Sequence, residues 1–148
     1  MSQSQPVLPV EIRDARATDV DAVLRVWDRS GAHGTVTDDA AGVSLLIEQA
    51  PGALLVAVDS TVIVGTVVAG WNGWRGSIYR LAVASSHRRR GVATALLISA
   101  TERLSALGAR RIDAFVVKDD ELARSFWDSM SSPWGPDPLE KLRYVRPR

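Results

Sequence analysis

Residues 77–108, SIYRLAVASSHRRRGVATALLISATERLSALG, constrain the fold more than any other stretch of the chain. Residues 78–84 read as a strand, with Tyr79, Leu81 and Val83 on one face and Ile78, Arg80 and Ala82 on the other. Ser85, Ser86 and His87 make a short polar turn. Arg88, Arg89 and Arg90 lead from it into Gly91 and an apolar-rich stretch. There Val92, Leu96, Ala100, Leu104 and Leu107 recur at helical steps, so one stripe of a helix faces a core. Gly108 falls where a left-handed cap would end that helix.

The chemistry lies in the turn. A helix starting near Gly91 exposes unpaired N–H groups in its first turn, and its dipole adds partial positive charge there. Gly91 has no Cβ to hold a ligand off, and small Ala93 keeps the next position open. The three arginines add formal charge and fork-shaped donors. The combination is an anion cradle suited to a phosphate or pyrophosphate.

This segment resembles motif A of the GNAT superfamily of N-acetyltransferases. The family pattern Gln/Arg-x-x-Gly-x-Gly/Ala stands here as Arg88-Arg89-Arg90-Gly91-Val92-Ala93, after the strand residues Leu81-Ala82-Val83. The resemblance implies acetyl-CoA as co-substrate. It implies that Arg88, Arg89, Arg90, Gly91, Val92, Ala93 and Thr94 grip the pyrophosphate, and that the backbone of Leu81, Ala82 and Val83 pairs with the pantetheine arm. It further implies acetyl transfer to a primary amine of a small molecule or a protein. Many members carry Asn-x-x-Ala-x-x-Phe-Tyr on the next helix, where the Asn contacts the cofactor and the Tyr protonates the thiolate. The matching stretch keeps Ala123 and Phe126 but has Asp120 and Trp127 at those two cofactor positions. An indole N–H donates a hydrogen bond but does not titrate as an acid.

A chain of 148 residues is read as one domain, with a loose arm at 1–9 and a single acetyltransferase-like domain at 10–148. Hydrophobic residues at 46% and charged residues at 24% suit a soluble globular protein, and a net charge of +1 gives no general argument for nucleic acid. With no Cys, disulfides, thiolate nucleophiles and Cys-ligated zinc are excluded, and His33 and His87 are too far apart in sequence to make a ligand cluster, so no metal is expected. No apolar run reaches membrane-spanning length, and the N-terminus lacks the pattern of a signal peptide. A cytoplasmic setting without membrane or nucleic-acid partners is the expectation, and a homodimer is in keeping with the family.

In chain order, residues 10–15 read as a strand and Thr18 as the cap of a first helix bearing Val20, Val23, Leu24 and Trp27. Thr37 is the expected cap of a second helix, with Val43, Leu45, Leu46 and Ile47 apolar. Strands follow at 53–58 and 61–69 around Asp59-Ser60, and Asn72-Gly73 marks a turn before the strand at Ile78. After the Arg-led helix, 111–117 reads as a strand, 119–130 as a helix and 142–145 as a final strand. The order is β-α-α-β-β-β-α-β-α-β. It describes an α+β fold in three layers, a mixed and mostly antiparallel sheet with helices on both faces, and it also matches the GNAT order.

Acetyl transfer needs a base for an amine that arrives mostly protonated and a donor for the developing charge. Tyr79 is the first candidate for proton handling, or else an aromatic packed in the sheet face with its hydroxyl satisfied. The strand after motif A offers Asp113 and Phe115. Asp38 and Asp39, in a region that lines the acceptor side in the family, read either as amine ligands or as first-turn helix charges. His33 reads as a base or as an exposed loop residue, and Trp71 and Trp74 as acceptor walls or as rim packing. Locally, Ser86 to Ala93 is similar to some aminoglycoside acetyltransferases. A CoA-binding regulatory module of the same fold is the alternative, favoured by Asp120 and Trp127.

Overall fold

The computed structural model describes residues 10–30, 36–117, 120–130, 133–137, 139 and 141–146. The chain divides into two compact units, Met1–Ala114 and Phe115–Arg148. The first unit holds β1 (Glu11–Asp14), α1 (Val20–Arg29), α2 (Ala40–Gln49), β2 (Leu54–Asp59), β3 (Val62–Trp71), β4 (Gly76–Val83), α3 (Val92–Leu107) and β5 (Ile112–Ala114). The strands form one sheet in the order β1-β2-β3-β4-β5. Every pairing is antiparallel except the last, where β5 runs parallel to β4. The sheet is therefore mixed and mostly antiparallel, as the α+β reading requires.

Two helical layers cover it. Val23, Val26 and Trp27 of α1 and Val43 of α2 pack with Leu54, Val56, Val58 and Val68 on one face. On the other face α3 lies across β3 and β4. The approach is close: a Cβ on Gly65 would stand 2.9 Å from Leu96 Cδ1, and one on Gly76 would stand 2.8 Å from Leu104 Cδ1. Leu107, expected in the α3 stripe, is 44% exposed, and Leu45 of α2 is 58% exposed; Leu97 on α3 and Val26 on α1 are buried beyond the residues expected. Gly108 caps α3 in the left-handed region, φ +110.

The caps differ from expectation. Thr18 does not open α1; a single 3-10 turn at Ala17–Asp19 precedes it, and Asp19 turns back to accept from the Arg16 backbone N–H at 2.7 Å. Asp19 also accepts from both terminal guanidinium nitrogens of Arg13, at 2.7 and 3.2 Å. That hydrogen-bonded guanidinium holds the Asp19 carboxyl below its ordinary range, against the opposing effect of burial. Asp39, not Thr37, caps α2, accepting from Gly42 N–H at 2.7 Å. The β3–β4 turn is built as expected, with Asn72 Oδ1 accepting from the backbone N–H of Trp74 and Arg75 at 2.9 and 2.7 Å.

β5 is shorter than the strand expected at 111–117, because its ladder with β4 covers only Gly76, Ser77 and Ile78. The second unit contains α4 (Glu121–Asp128) and no strand among its described residues. Residues 142–145 were expected to be a strand; Leu142 is 84% exposed and Val145 68%, and neither enters a ladder. A strand needs a partner for its backbone groups and a buried face for its side chains; among the described residues 142–145 have no ladder partner, and all four are exposed. No described helix is long and apolar enough to cross a membrane.

Candidate functional site

The site is built on the exit from β4. Thr66 pairs with Ala82 and Val68 with Tyr79, so Arg80 and Leu81 share the single place opposite Val67. This is a β-bulge, with Arg80 in the left-handed region at φ +51. The bulge overturns the expected facing of the strand. Tyr79 and Ala82 fall on the same face, and Ala82 packs on the α1–α2 cluster, while Ile78 is buried on the other side. A regular alternation placed Tyr79 with Leu81 and Val83; one extra residue inverts every assignment after it.

A non-glycine residue in the left-handed region costs about 1–2 kcal/mol. Here that cost is offset by contacts. The Thr66 hydroxyl donates to the Arg80 carbonyl at 2.9 Å and accepts from Trp27 Nε1 at 2.9 Å. The Arg80 guanidinium lies over the Trp27 ring and forks onto the Asp38 carboxylate. Asp38 is thus matched by a cation of its own chain, and Asp39 accepts from Gly42 N–H as the cap of α2.

Beyond Ile78 the β4 strand continues to Val83 after its ladder with β5 has ended. Among the described residues no strand pairs with Leu81, Ala82 and Val83 on that side. The turn that follows is a 3-10 segment at Ser85–His87. It is pinned by a chain of polar contacts: Ser86 Oγ lies 2.7 Å from His87 Nδ1, and His87 Nε2 lies 2.7 Å from Asp59 Oδ2 at the end of β2. The three arginines then separate in role. Arg88 Nε donates to the Val83 carbonyl at 3.3 Å, tying the turn to the strand, while Arg89 and Arg90 are exposed.

Gly91 is the N-cap of α3 with φ +81, and no side chain caps the helix. Among the described residues, a Cβ at Gly91 would meet nothing within 4 Å, so the space beside Gly91 is open. Arg89 is also left-handed, φ +61. Val92 is buried and anchors the turn, while Thr94 is exposed and Ala93 half-buried. An uncapped helix of this length, two exposed arginines and open space above a glycine fit a bulky anion such as a pyrophosphate.

The remaining candidates are scattered. Tyr79 is 40% exposed, with its ring against Gly70. Trp71 and Trp74 stand at the β3–β4 turn, at the opposite end of β4 from the cradle; Trp74 is 66% exposed and stacks under Arg75. Asp113 pairs with Arg111 at 2.9 Å. His33 lies outside the described residues. In the second unit Asp120 caps α4, accepting from Ala123 N–H at 3.0 Å. Trp127 meets Phe126 and Trp134 edge-on, with ring centroids 5.4 and 5.0 Å apart. Among the described residues no group of three or more His, Asp or Glu could hold a metal ion. Sequence reasoning missed the bulge, the Arg80–Asp38 pair and the His87–Asp59 contact, none of which has a local sequence signal.

The model of the acetyltransferase (GNAT) family matches residues 21–131. An acetyltransferase from Pectobacterium atrosepticum is 31% identical over 121 residues, covering 82% of this chain and 86% of that protein. Among solved structures, Ard1 from Thermoplasma volcanium superposes with a TM-score of 0.72 at 22% identity, covering 80% of this chain and 79% of that one. The diaminobutyrate acetyltransferase EctA from Paenibacillus lautus, solved with 2,4-diaminobutyric acid and coenzyme A, gives a TM-score of 0.65 at 24% identity, covering 79% and 71%. These structures share the fold; the family match and the Pectobacterium relative go further, and on them the chain belongs to the GNAT family of acetyltransferases.

Proposed function

We propose that this protein moves the acetyl group of acetyl-CoA to a primary amine of a small molecule or a protein. The observation that carries the reading is the uncapped start of α3, with Gly91 left-handed beneath open space and Arg89 and Arg90 exposed beside it. Arg89, Arg90 and the first-turn N–H groups of Val92, Ala93 and Thr94 would hold the pyrophosphate, with Arg88 fixing the turn. The edge at Leu81, Ala82 and Val83 would take the extended arm by backbone hydrogen bonds, as a strand takes a neighbour. Bound acetyl-CoA supplies an activated thioester as the electrophile. An amine with a pKa of about 10.4 must lose a proton first, and Tyr79 is the candidate group for handling it.

The family match runs through both units, which supports reading 10–148 as one domain. The diamine bound by EctA supports an amine acceptor. A cytoplasmic setting and a homodimer belong to the same proposal. The second reading, a CoA-binding regulatory module, draws on α4, where Asp120 caps its own helix and Trp127 cannot release a proton.

The test is thiol release from acetyl-CoA across an amine panel of 2,4-diaminobutyrate, aminoglycosides and peptides with free N-termini. The transferase reading expects amine-dependent release and an acceptor heavier by one acetyl group. CoA binding without release on any amine favours the regulatory module. No CoA binding overturns both.

A further inference from the structure

Arg80 joins four parts of the first unit, and the proposed reaction makes no use of it. Its carbonyl accepts from Thr66 of β3 at 2.9 Å. Its guanidinium lies 5.0 Å from the ring centroid of Trp27 on α1 and forks onto Asp38, the residue before the α2 cap. Trp27 closes the ring of contacts by donating to Thr66 at 2.9 Å.

Two features set this apart from a surface ion pair. The Arg80 and Asp38 side chains are only 18% and 12% exposed, so solvent and salt screen them weakly. A planar fork on a carboxylate with an aromatic face beside it also fixes orientation, which a point charge does not. More important is where the pair is attached. Arg80 is itself the left-handed residue of the bulge, so its backbone and side chain cannot move independently of the strand leaving it. Asp38 is followed directly by Asp39, whose carboxylate holds the first turn of α2 through Gly42.

We propose that Arg80 is a positioning residue that couples residues 81–83 to the head of α2, transmitting occupancy of the cofactor strand to residues 38–43. This rests on the reading that CoA binds along that strand. A ligand arm paired with residues 81–83 restricts the bulge; the restricted bulge holds the guanidinium; the guanidinium holds Asp38. By linkage, a ligand at the head of α2 changes CoA affinity by the same factor.

The test uses the full chain as wild type, Arg80→Gly, Arg80→Lys and Asp38→Asn. CoA affinity is read by calorimetry and amide hydrogen exchange is followed at residues 38–43. Arg80→Gly keeps a residue suited to positive φ and removes the guanidinium. The expected result is CoA affinity within about threefold of wild type in Arg80→Gly, since the bulge persists. CoA should slow exchange at residues 38–43 by about threefold or more in wild type, with that protection lost in Arg80→Gly and Asp38→Asn and partly kept in Arg80→Lys. A purely structural role would speed exchange without abolishing the response to CoA. Undiminished protection in a CoA-bound Arg80→Gly protein overturns the coupling, as does a wild type that binds CoA without protecting these amides. A wild type that fails to bind CoA overturns the cofactor reading, and the coupling with it.

Discussion

The turn between β4 and α3 and the helix α4 both carry residues that the family resemblance assigns to the cofactor, and the structure treats them in opposite ways. In the turn the helix start is left without a side-chain cap, no described residue lies within 4 Å of a Gly91 Cβ, and two arginines stay exposed. In α4 the equivalent groups are engaged within their own unit: Asp120 caps the helix, and Trp127 packs edge-on between Phe126 and Trp134. One region keeps its polar capacity for something else; the other uses it for its own stability. On the proposed reading, holding a cofactor and handling a proton are separable demands, the first assigned to the turn and the second not assigned to α4.

The hardest way to break the comparison is Gly91→Asp. It places a carboxylate over the cradle, and CoA affinity should fall roughly 100-fold or more by calorimetry. Asp tolerates positive φ better than most residues, and buried Val92, Leu96 and Leu104 hold α3 to the sheet, so circular dichroism should show a folded protein. Undiminished CoA affinity in that folded variant would remove the cradle from the site. Trp127→Tyr sharpens the other half. If α4 lacks only an acid, turnover in the thiol-release assay should rise about tenfold with CoA affinity unchanged, and Trp127→Phe should cost under about threefold. Complete loss of activity in Trp127→Phe would make the indole N–H essential.

Smaller effects are expected at the caps. Asp120→Asn keeps a capping side chain, so CoA affinity should stay within about twofold and stability should hold, whereas Asp120→Ala should lose about 1 kcal/mol. Several-fold tighter CoA binding by Asp120→Asn would mean that position 120 reaches the cofactor as its family counterpart does. Asp19→Asn is a control outside both regions and should leave CoA affinity alone. Its folded carboxyl titrates below the ordinary value, so its contribution is complete above about pH 3.9 and fades as pH falls through the depressed folded value. Urea melts near neutral pH should show a loss of about 1.5–3 kcal/mol, shrinking in strong acid.

Gly108 was legible in the sequence as a left-handed cap because such a position sharply narrows the choice of residue; Gly91 was legible only as a residue without a Cβ, and its positive φ was not. Arg80 has the same backbone conformation and was invisible, because arginine has no preference for it; the supporting contacts come from Thr66, Trp27 and Asp38, distant in sequence. The facing of Tyr79 was misread for the same reason, since alternation assumes no inserted residue. Thr37, Asp38 and Asp39 can all cap a helix. In the structure Asp39 takes the cap while Asp38 engages Arg80, a partner distant in sequence. The hydrophobic stripes of α1 and α3 were readable almost throughout because burial there depends on periodicity alone.

Trp27 gives the Arg80 network an optical signature. Its indole is 6% exposed, its N–H is held by Thr66, and a cation stands over its ring, whereas Trp74 is 66% exposed at the far end of β4. A fixed positive charge and an ordered hydrogen bond both act on the excited-state dipole of an indole, so the colour and intensity of Trp27 emission depend on where the guanidinium sits. Removing Arg80 should shift the blue, quencher-resistant part of the emission and leave the red, iodide-accessible part unchanged. The protein thus carries a built-in fluorescent probe of its own bulge, readable in solution without a label.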